Sequence, residues 1–328
     1  MTMDRRQFLK GMLAGGAAAA TVTPTVAEAR DNLTMPPKAM GLLYDSTLCI
    51  GCKACVAACK ESNGLPPEFS TGEQLWDTPA DISGKTKNII KMYKDGTGDH
   101  KDQEKDGYAF MKHSCLHCVD PSCVSACPVS AMLKDPVTGV VTYNPSDCIG
   151  CRYCVLACPF DVPRFEYDKA FPQIVKCELC NHLESPDHGT RFHYSACAEV
   201  CPTGATLFGP TTELLAEAKR RLALKPGTDT LVPRGMLQGA DWQMAKVADY
   251  VPQVYGEKEL GGTQVLKLSA VPFEKLGYRT LPERSFAAVS ETMQHSLYGY
   301  LAFPAVVLGG LVVAAKRSMR DDETENQE

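Results

Sequence analysis

The sequence predicts an α+β fold organised by four cysteine quartets, with a C-terminal extension and a single transmembrane helix. Three observations predict it. All 16 cysteines lie between Cys49 and Cys201, in four groups of four. Short strand-like segments at residues 41–45, 108–112, 140–144 and 205–208 flank those groups. Residues 297–315 run without a charge. At 328 residues the chain has room for about two domains. Its composition, 44% hydrophobic and 22% charged, is that of a globular protein and not a disordered one. A net charge of −5 argues against a nucleic-acid partner, which calls for a basic stripe to neutralise phosphates.

The N-terminus reads as an export signal. Arg5-Arg6 precede Gln7-Phe8-Leu9-Lys10, then an Ala/Gly-rich stretch over residues 11–22, then small residues offering cleavage after Ala27 or Ala29. This is a twin-arginine signal over residues 1–29, of the kind that exports a passenger already folded around a cofactor. The C-terminus reads as a tether. A helix over residues 297–315 would span about 28 Å, close to the ~30 Å hydrocarbon core. Pro304 is tolerated in such a helix, and Tyr298 and Tyr300 suit the interface. Lys316, Arg317 and Arg320 follow at once, which by the positive-inside rule puts the C-terminus in the cytoplasm. The expected anchor covers residues 286–320 and an acidic cytoplasmic tail covers 321–328. The body then lies on the periplasmic face of the inner membrane.

The quartets carry the chemistry. The first is Cys49, Cys52, Cys55 and Cys59; the second Cys115, Cys118, Cys123 and Cys127; the third Cys148, Cys151, Cys154 and Cys158; the fourth Cys177, Cys180, Cys197 and Cys201. The first and third have the C-x2-C-x2-C-x3-C spacing of [4Fe–4S] ligands. Three thiolates two residues apart come from one tight loop around three corners of a cubane, and amides of that loop can point at cluster sulfurs. The fourth thiolate, about one helical turn further on, reaches a different cluster, which sets two clusters on the order of 10 Å apart. Disulfides would need scrambled pairings among equal quartets. Structural zinc favours separated C-x2-C pairs, and none of the C-x-x-C pairs is followed by the His of a covalent haem site. With all 16 cysteines used, four [4Fe–4S] clusters are expected.

These motifs, with Cys148-Ile149-Gly150-Cys151-Arg152-Tyr153-Cys154 and Cys158-Pro159-Phe160-Asp161-Val162-Pro163, resemble the four-cluster ferredoxin-like electron-transfer subunits of bacterial membrane-bound respiratory oxidoreductases. The resemblance covers about residues 40–225. The signal and tether make the chain most similar to the ferredoxin-like subunit of hydrogenase-2 systems. The resemblance implies two nested bacterial-ferredoxin-like modules within residues 30–210, the inner one at about 108–167. It implies that Cys49, Cys52, Cys55 and Cys201 share one cluster, and Cys59, Cys177, Cys180 and Cys197 a second. Cys115, Cys118, Cys123 and Cys158 would share a third, and Cys127, Cys148, Cys151 and Cys154 a fourth. It further implies a catalytic partner, a [NiFe] hydrogenase, and an integral membrane quinone-binding subunit. The alternative is the same role in a molybdoenzyme complex such as formate dehydrogenase or a dimethyl-sulfoxide or polysulfide reductase. One departure is Lys60, where Pro usually follows the fourth cysteine.

The rest of the chain reads as scaffold. Residues 60–107 form a polar, cysteine-free insertion, the length of a functional loop or docking surface. Thr212 is the expected cap of an amphipathic helix presenting Leu214, Leu215, Ala218 and Leu222, with Gly227 ending it. Residues 228–285 read as an extended arm with one strand at 264–268, so 211–285 forms a helix-and-arm segment. Lys53, Lys60, Arg152 and Lys176 adjoin cysteines and suit partial charge compensation. His182, His188 and His193 read as solvated loop residues. No Walker loop, dinucleotide fingerprint or nucleophile triad is present, so a non-catalytic subunit is expected.

Overall fold

The computed structural model describes residues 29–69, 78–184 and 189–325. The export signal and His188 lie outside these. Asp31–Ala288 form one compact unit, and the described chain from Val289 onward belongs to a second.

In chain order the elements are β1 (Met40–Asp45), α1 (Ala54–Ser62), β2 (Asn88–Lys94), β3 (His100–Lys101), β4 (Gly107–Ser114), α2 (Ser122–Ser125), β5 (Met132–Lys134), β6 (Val141–Tyr143), α3 (Tyr153–Ala157), β7 (Arg164–Phe165), β8 (Ile174–Val175), α4 (Ala196–Glu199), β9 (Thr206–Pro210), α5 (Thr211–Leu222), β10 (Asp229–Met236), β11 (Asp241–Lys246), β12 (Val265–Leu268) and α6 (Phe286–Glu325). The largest sheet has the order β11-β10-β9-β1-β12. In it β1 runs parallel to β12, with Leu42 opposite Val265, and antiparallel to β9, with Leu42 opposite Phe208.

Strand alternation divides this sheet into two faces. On β1, Leu42 and Tyr44 join the core that holds Cys49, Cys55 and Cys197, while Leu43 packs with Leu207, Leu266, Leu268 and the α5 residues Leu214 and Ala218. The sheet is thus a wall with α5 behind it and the cysteines in front. Each fully buried leucine of the α5 side contributes roughly 2 kcal/mol by leaving water. The wall is close-set: a Cβ on Gly41 would stand 1.9 Å from the Gln264 carbonyl oxygen.

Strands stand at all four expected places: β1 and β4 contain 41–45 and 108–112, β6 is one residue shorter at each end than 140–144, and β9 starts one residue later than 205 and runs on to Pro210. Three expectations change. Helix α5 starts at Thr211 behind Pro210 and stops at Leu222, so Thr212 is not its cap and Gly227 lies beyond its end. Pro210 takes the cap position and offers no side-chain acceptor, and the Thr211 amide donates instead to the Ala39 carbonyl. The insertion after Cys59 is not a plain loop, because β2 pairs with β4 along seven residues and buries Ile89 and Ile90. The expected arm carries three strands where one was expected: β10 and β11 join β12, the strand expected at 264–268, in the main wall. Its glycines, such as Gly239 at φ +88° between β10 and β11 and Gly256 at φ +97° ahead of β12, turn the chain between short strands and so read as loop punctuation in the sequence.

Helix α6 is 40 residues long with Pro304 inside it. Beyond Val289 it exposes Leu297, Tyr298, Tyr300, Leu301, Leu308, Val312 and Val313. Among the described residues no helix is long and apolar enough to cross a membrane. The expected anchor falls partly on side chains outside the described set, among them those at positions 302, 303, 305 and 306.

Candidate cluster-binding site

Each quartet begins with a repeated backbone device. Two residues after the first cysteine, Gly51, His117, Gly150 and Leu179 all have positive φ, at 70°, 49°, 71° and 51°. This left-handed turn reverses the loop so that its amides face inward. The amides of Gly51, Gly150 and Leu179 each donate to the sulfur of the preceding Cys49, Cys148 and Cys177 at 3.4 Å. Glycine is needed at position 51, where a Cβ would meet the Phe110 ring at 2.4 Å. His117 and Leu179 adopt the turn against the preference of residues with side chains, as happens where function fixes the backbone. A short helix follows in every case, and α1, α2, α3 and α4 carry Cys55, Cys123, Cys154 and Cys197.

The folded chain gathers the cysteines into four groups, each drawn from two quartets. Cys49, Cys52, Cys55 and Cys201 line one cavity of about 320 Å³. Cys59, Cys177, Cys180 and Cys197 line another of about 380 Å³. Cys127, Cys148, Cys151 and Cys154 line a third of about 310 Å³. Cys118 has Cys158, Cys123 and Cys115 as its electrostatic neighbours, which completes a fourth group. The groups adjoin in a row: Cys55 neighbours Cys197, Cys177 neighbours Cys115, and Cys123 neighbours Cys154. Cys55 and Cys59, one turn apart on α1, face different cavities. None of the 16 cysteines is in a disulfide.

The donor sets fit iron–sulfur clusters. Among the described residues no three His, Cys, Asp or Glu side chains converge closely enough to hold a metal ion. The thiols ring a space and do not meet at a point, as a multi-iron group requires. Burial pushes the thiols up, Cys180 to about 12 and Cys154 and Cys158 to about 11, and it raises Cys55, Cys118 and Cys177 as well. Thiolates are the ligands, so these sites hold their charged form when metal supplies the opposing charge, with release of the thiol protons.

The cations beside the cysteines divide into two kinds. Lys53 donates to the Thr78 carbonyl at 2.6 Å, and Lys60 is turned to Glu68 at 2.7 Å and to the Lys85 carbonyl at 2.6 Å. The Arg152 guanidinium lies over Phe165 at 5.6 Å and Tyr167 at 5.8 Å, at the edge of the last cavity. Lys176 is buried and donates to the carbonyls of Val141 and Cys177. Sequence reading missed Lys112 and Lys134. Lys112, 1% exposed on β4, lines the second cavity. Burial opposes its charge, yet the sulfurs of Cys197 and Cys55 hold its ammonium well above the ordinary lysine range. Lys134 donates to the Cys118 carbonyl at 2.8 Å, and burial brings it down to about 8. Lys134 gave no signal because it adjoins no cysteine in the chain. His182 pairs with Ser62 at 3.0 Å and His193 with Glu199 at 3.1 Å.

The 4Fe-4S dicluster domain is matched twice, over residues 48–131 and 107–211. The twin-arginine translocation pathway signal is matched over residues 2–22, which marks the chain for export. The hydrogenase-2 operon protein HybA of Escherichia coli O157:H7 is 47% identical over 98% of this chain and 97% of its own length, and that of Shigella flexneri is equally similar. The iron-sulfur subunit of the nitrate-inducible formate dehydrogenase of Escherichia coli K12 is 29% identical over 87% of this chain and 89% of its own. Two dicluster domains account for the 16 cysteines as four [4Fe–4S] clusters. The chain belongs to the family of the hydrogenase-2 operon protein HybA.

Proposed function

We propose that this chain is the non-catalytic electron-transfer subunit of a hydrogen-oxidising respiratory complex, joining a periplasmic [NiFe] hydrogenase to an integral membrane subunit that binds quinone. The observation that carries the reading is the row of four cysteine groups, continuous from Cys52 at one end to Cys151 at the other. Cys49, Cys52, Cys55 and Cys201 hold the first cluster. Cys59, Cys177, Cys180 and Cys197 hold the second, Cys115, Cys118, Cys123 and Cys158 the third, and Cys127, Cys148, Cys151 and Cys154 the fourth. When bound, such clusters supply reversible one-electron transfer. The chain's own residues set the conditions for it. The amides of Gly51, Gly150 and Leu179 offset negative charge on sulfur. Leu42, Phe110 and Leu116 keep the interior dry. Helices one turn long between cysteines hold neighbouring groups at fixed separation.

The membrane side rests on residues 297–315, which carry no charge and expose a run of leucine, valine and tyrosine, followed by Lys316, Arg317 and Arg320. We assign them as a single anchor with the C-terminus in the cytoplasm. One helix cannot enclose a quinone, so that site belongs to a separate subunit. A strain lacking this chain tests the assignment. Hydrogen oxidation with an artificial dye should persist, and hydrogen-dependent quinone reduction should be lost. If hydrogen-dependent quinone reduction survives, the hydrogenase role is wrong. Loss of formate-dependent reduction in its place would assign the chain to a molybdoenzyme complex, the reading favoured by its formate dehydrogenase relatives.

A further inference from the structure

Lys112 lines the cavity of the second cysteine group, and Thr206, which its ammonium meets, lines the cavity of the first. It lies on β4, whose neighbours in the fold form the cysteine-side core, and it is 1% exposed. Its Nζ has an oxygen partner, Thr206 Oγ1, at 3.3 Å. Its electrostatic partners are sulfurs: Cys197, Cys55 and Cys201 act on it, and it acts in turn on Cys55 and Cys59. Two of these cysteines belong to the first group and two to the second. They are also the two pairs, Cys55 with Cys59 and Cys197 with Cys201, that tie the groups together through α1 and α4.

Among the described residues no carboxylate forms an ion pair with Lys112. Other cations around the same sites are neutralised or held by backbone. Lys87, which lines the second cavity, faces Glu178 at 3.4 Å. Lys60 faces Glu68. Lys267, buried beside Lys112, donates to the Lys112 carbonyl at 2.6 Å and lies over the Tyr278 ring at 4.7 Å. Tyr278 donates to that same carbonyl at 2.6 Å. These two bonds fix the Lys112 backbone and so fix the direction of its side chain. A buried ammonium without a carboxylate is costly unless opposing charge lies near. Here the opposing charge is that of the thiolates and of whatever they bind.

We propose that Lys112 is a shared tuning residue, one fixed positive charge that raises the reduction potentials of the first and second clusters together and leaves the third and fourth unchanged. The proposal rests on the cluster assignment given above. Reduction adds one unit of negative charge to a cluster, and a nearby ammonium favours the more negative state. The lysines that act on the third group are others, Lys134 on Cys118 and Lys176 on Cys123, and Lys112 does not figure among the main charges on either. The effect is to keep two adjacent steps of the relay at matched potentials through a single side chain.

The test uses the full-length, detergent-solubilised holoprotein, purified anaerobically as wild type, Lys112→Met, Lys112→Gln and Lys112→Arg. Iron and sulfide analysis comes first and checks the cluster assignment itself. A wild type without four clusters would defeat that assignment, independently of Lys112. Reductive titration followed by electron paramagnetic resonance then reads the four potentials. In both neutral variants two potentials should fall by at least the tenfold change in reduction equilibrium that equals ~59 mV for one electron, and two should stay. Lys112→Arg should keep all four near wild type. Unchanged potentials in an iron-replete neutral variant, an equal shift of all four, or an arginine variant shifted as far as methionine would overturn the proposal. If neither neutral variant retains four clusters while Lys112→Arg does, Lys112 serves assembly and the tuning role is likewise overturned.

Discussion

Arg221→Met should destabilise the cluster-bearing unit by about 3 kcal/mol, the low end of the ~3–5 kcal/mol cost of removing one partner from a buried ion pair. The Arg221 side chain is 2% exposed and its Nη1 meets Asp45 Oδ2 at 2.9 Å, with Asp45 itself 0% exposed. Its Nε meets Glu217 Oε1 at 2.8 Å. Once the arginine is gone, Glu217 keeps Arg220 at 2.7 Å. Asp45 keeps Tyr250 at 2.7 Å, the Thr47 hydroxyl at 2.6 Å and the Thr47 amide at 3.0 Å, but among the described residues no other cation pairs with it. Those donors hold the cost to the low end. Asp45 ends β1 four residues before Cys49, so the damage falls at the entrance to the first cysteine loop. At about 2–4 °C per kcal/mol for a unit of this size, the melting temperature should fall by about 6–12 °C. The assay is circular-dichroism melting of the anaerobic holoprotein at a single scan rate. Asp45→Asn in the same chain should recover part of the loss, because the carboxylate left without its cation is then neutral. A fall under about 2 °C, or strict additivity of the two substitutions, would refute the reasoning.

Three further outcomes follow from the same structure. Cys151→Ala removes one corner of the terminal group, so about twelve of about sixteen iron atoms should remain and the other three clusters should keep their signals; loss of signals from more than one cluster, read by iron analysis and electron paramagnetic resonance, would count against the grouping. Burial works against ionisation of Glu217, but Arg220 and Arg221 prevail and hold its carboxyl below the usual glutamate range, so its contribution is present above about pH 4.3 and is lost as pH falls through the lower folded value; the difference in melting temperature between wild type and Glu217→Gln should shrink on acidification, and a constant difference would contradict it. Arg5→Lys with Arg6→Lys should leave the protein in the cytoplasm on fractionation, since the translocase reads the arginine pair; unchanged export would reject the signal.

How far the sequence reveals the molecule depends on the range of each interaction. Cysteine spacing is local, so Cys49-x2-Cys52-x2-Cys55 announces a loop around a cluster without any tertiary knowledge. The α5 stripe of Leu214, Ala218 and Leu222 is local in the same way and lies where its period puts it. The wall is not local. β12 joins β1 across more than two hundred residues, and its four residues, all buried, make too short a run to show which strand they pair with. Lys112 illustrates the second limit. A lysine inside the run Met111-Lys112-His113 reads as a solvated side of a strand, and nothing in the chain near it shows that Cys55 and Cys197 converge on its ammonium. The grouping of cysteines from different quartets came from resemblance, because spacing alone leaves the third and fourth quartets free to pair. In the fold, α1 beside α4 and α2 beside α3 decide which thiols meet.

The central claim is that sixteen thiols hold four clusters in one continuous row. Iron and acid-labile sulfide, determined per chain on anaerobically purified protein, test it most directly. The account predicts about sixteen of each, four per cluster, with every cluster reducible through its neighbour. About eight of each, or zinc in place of iron, would contradict it.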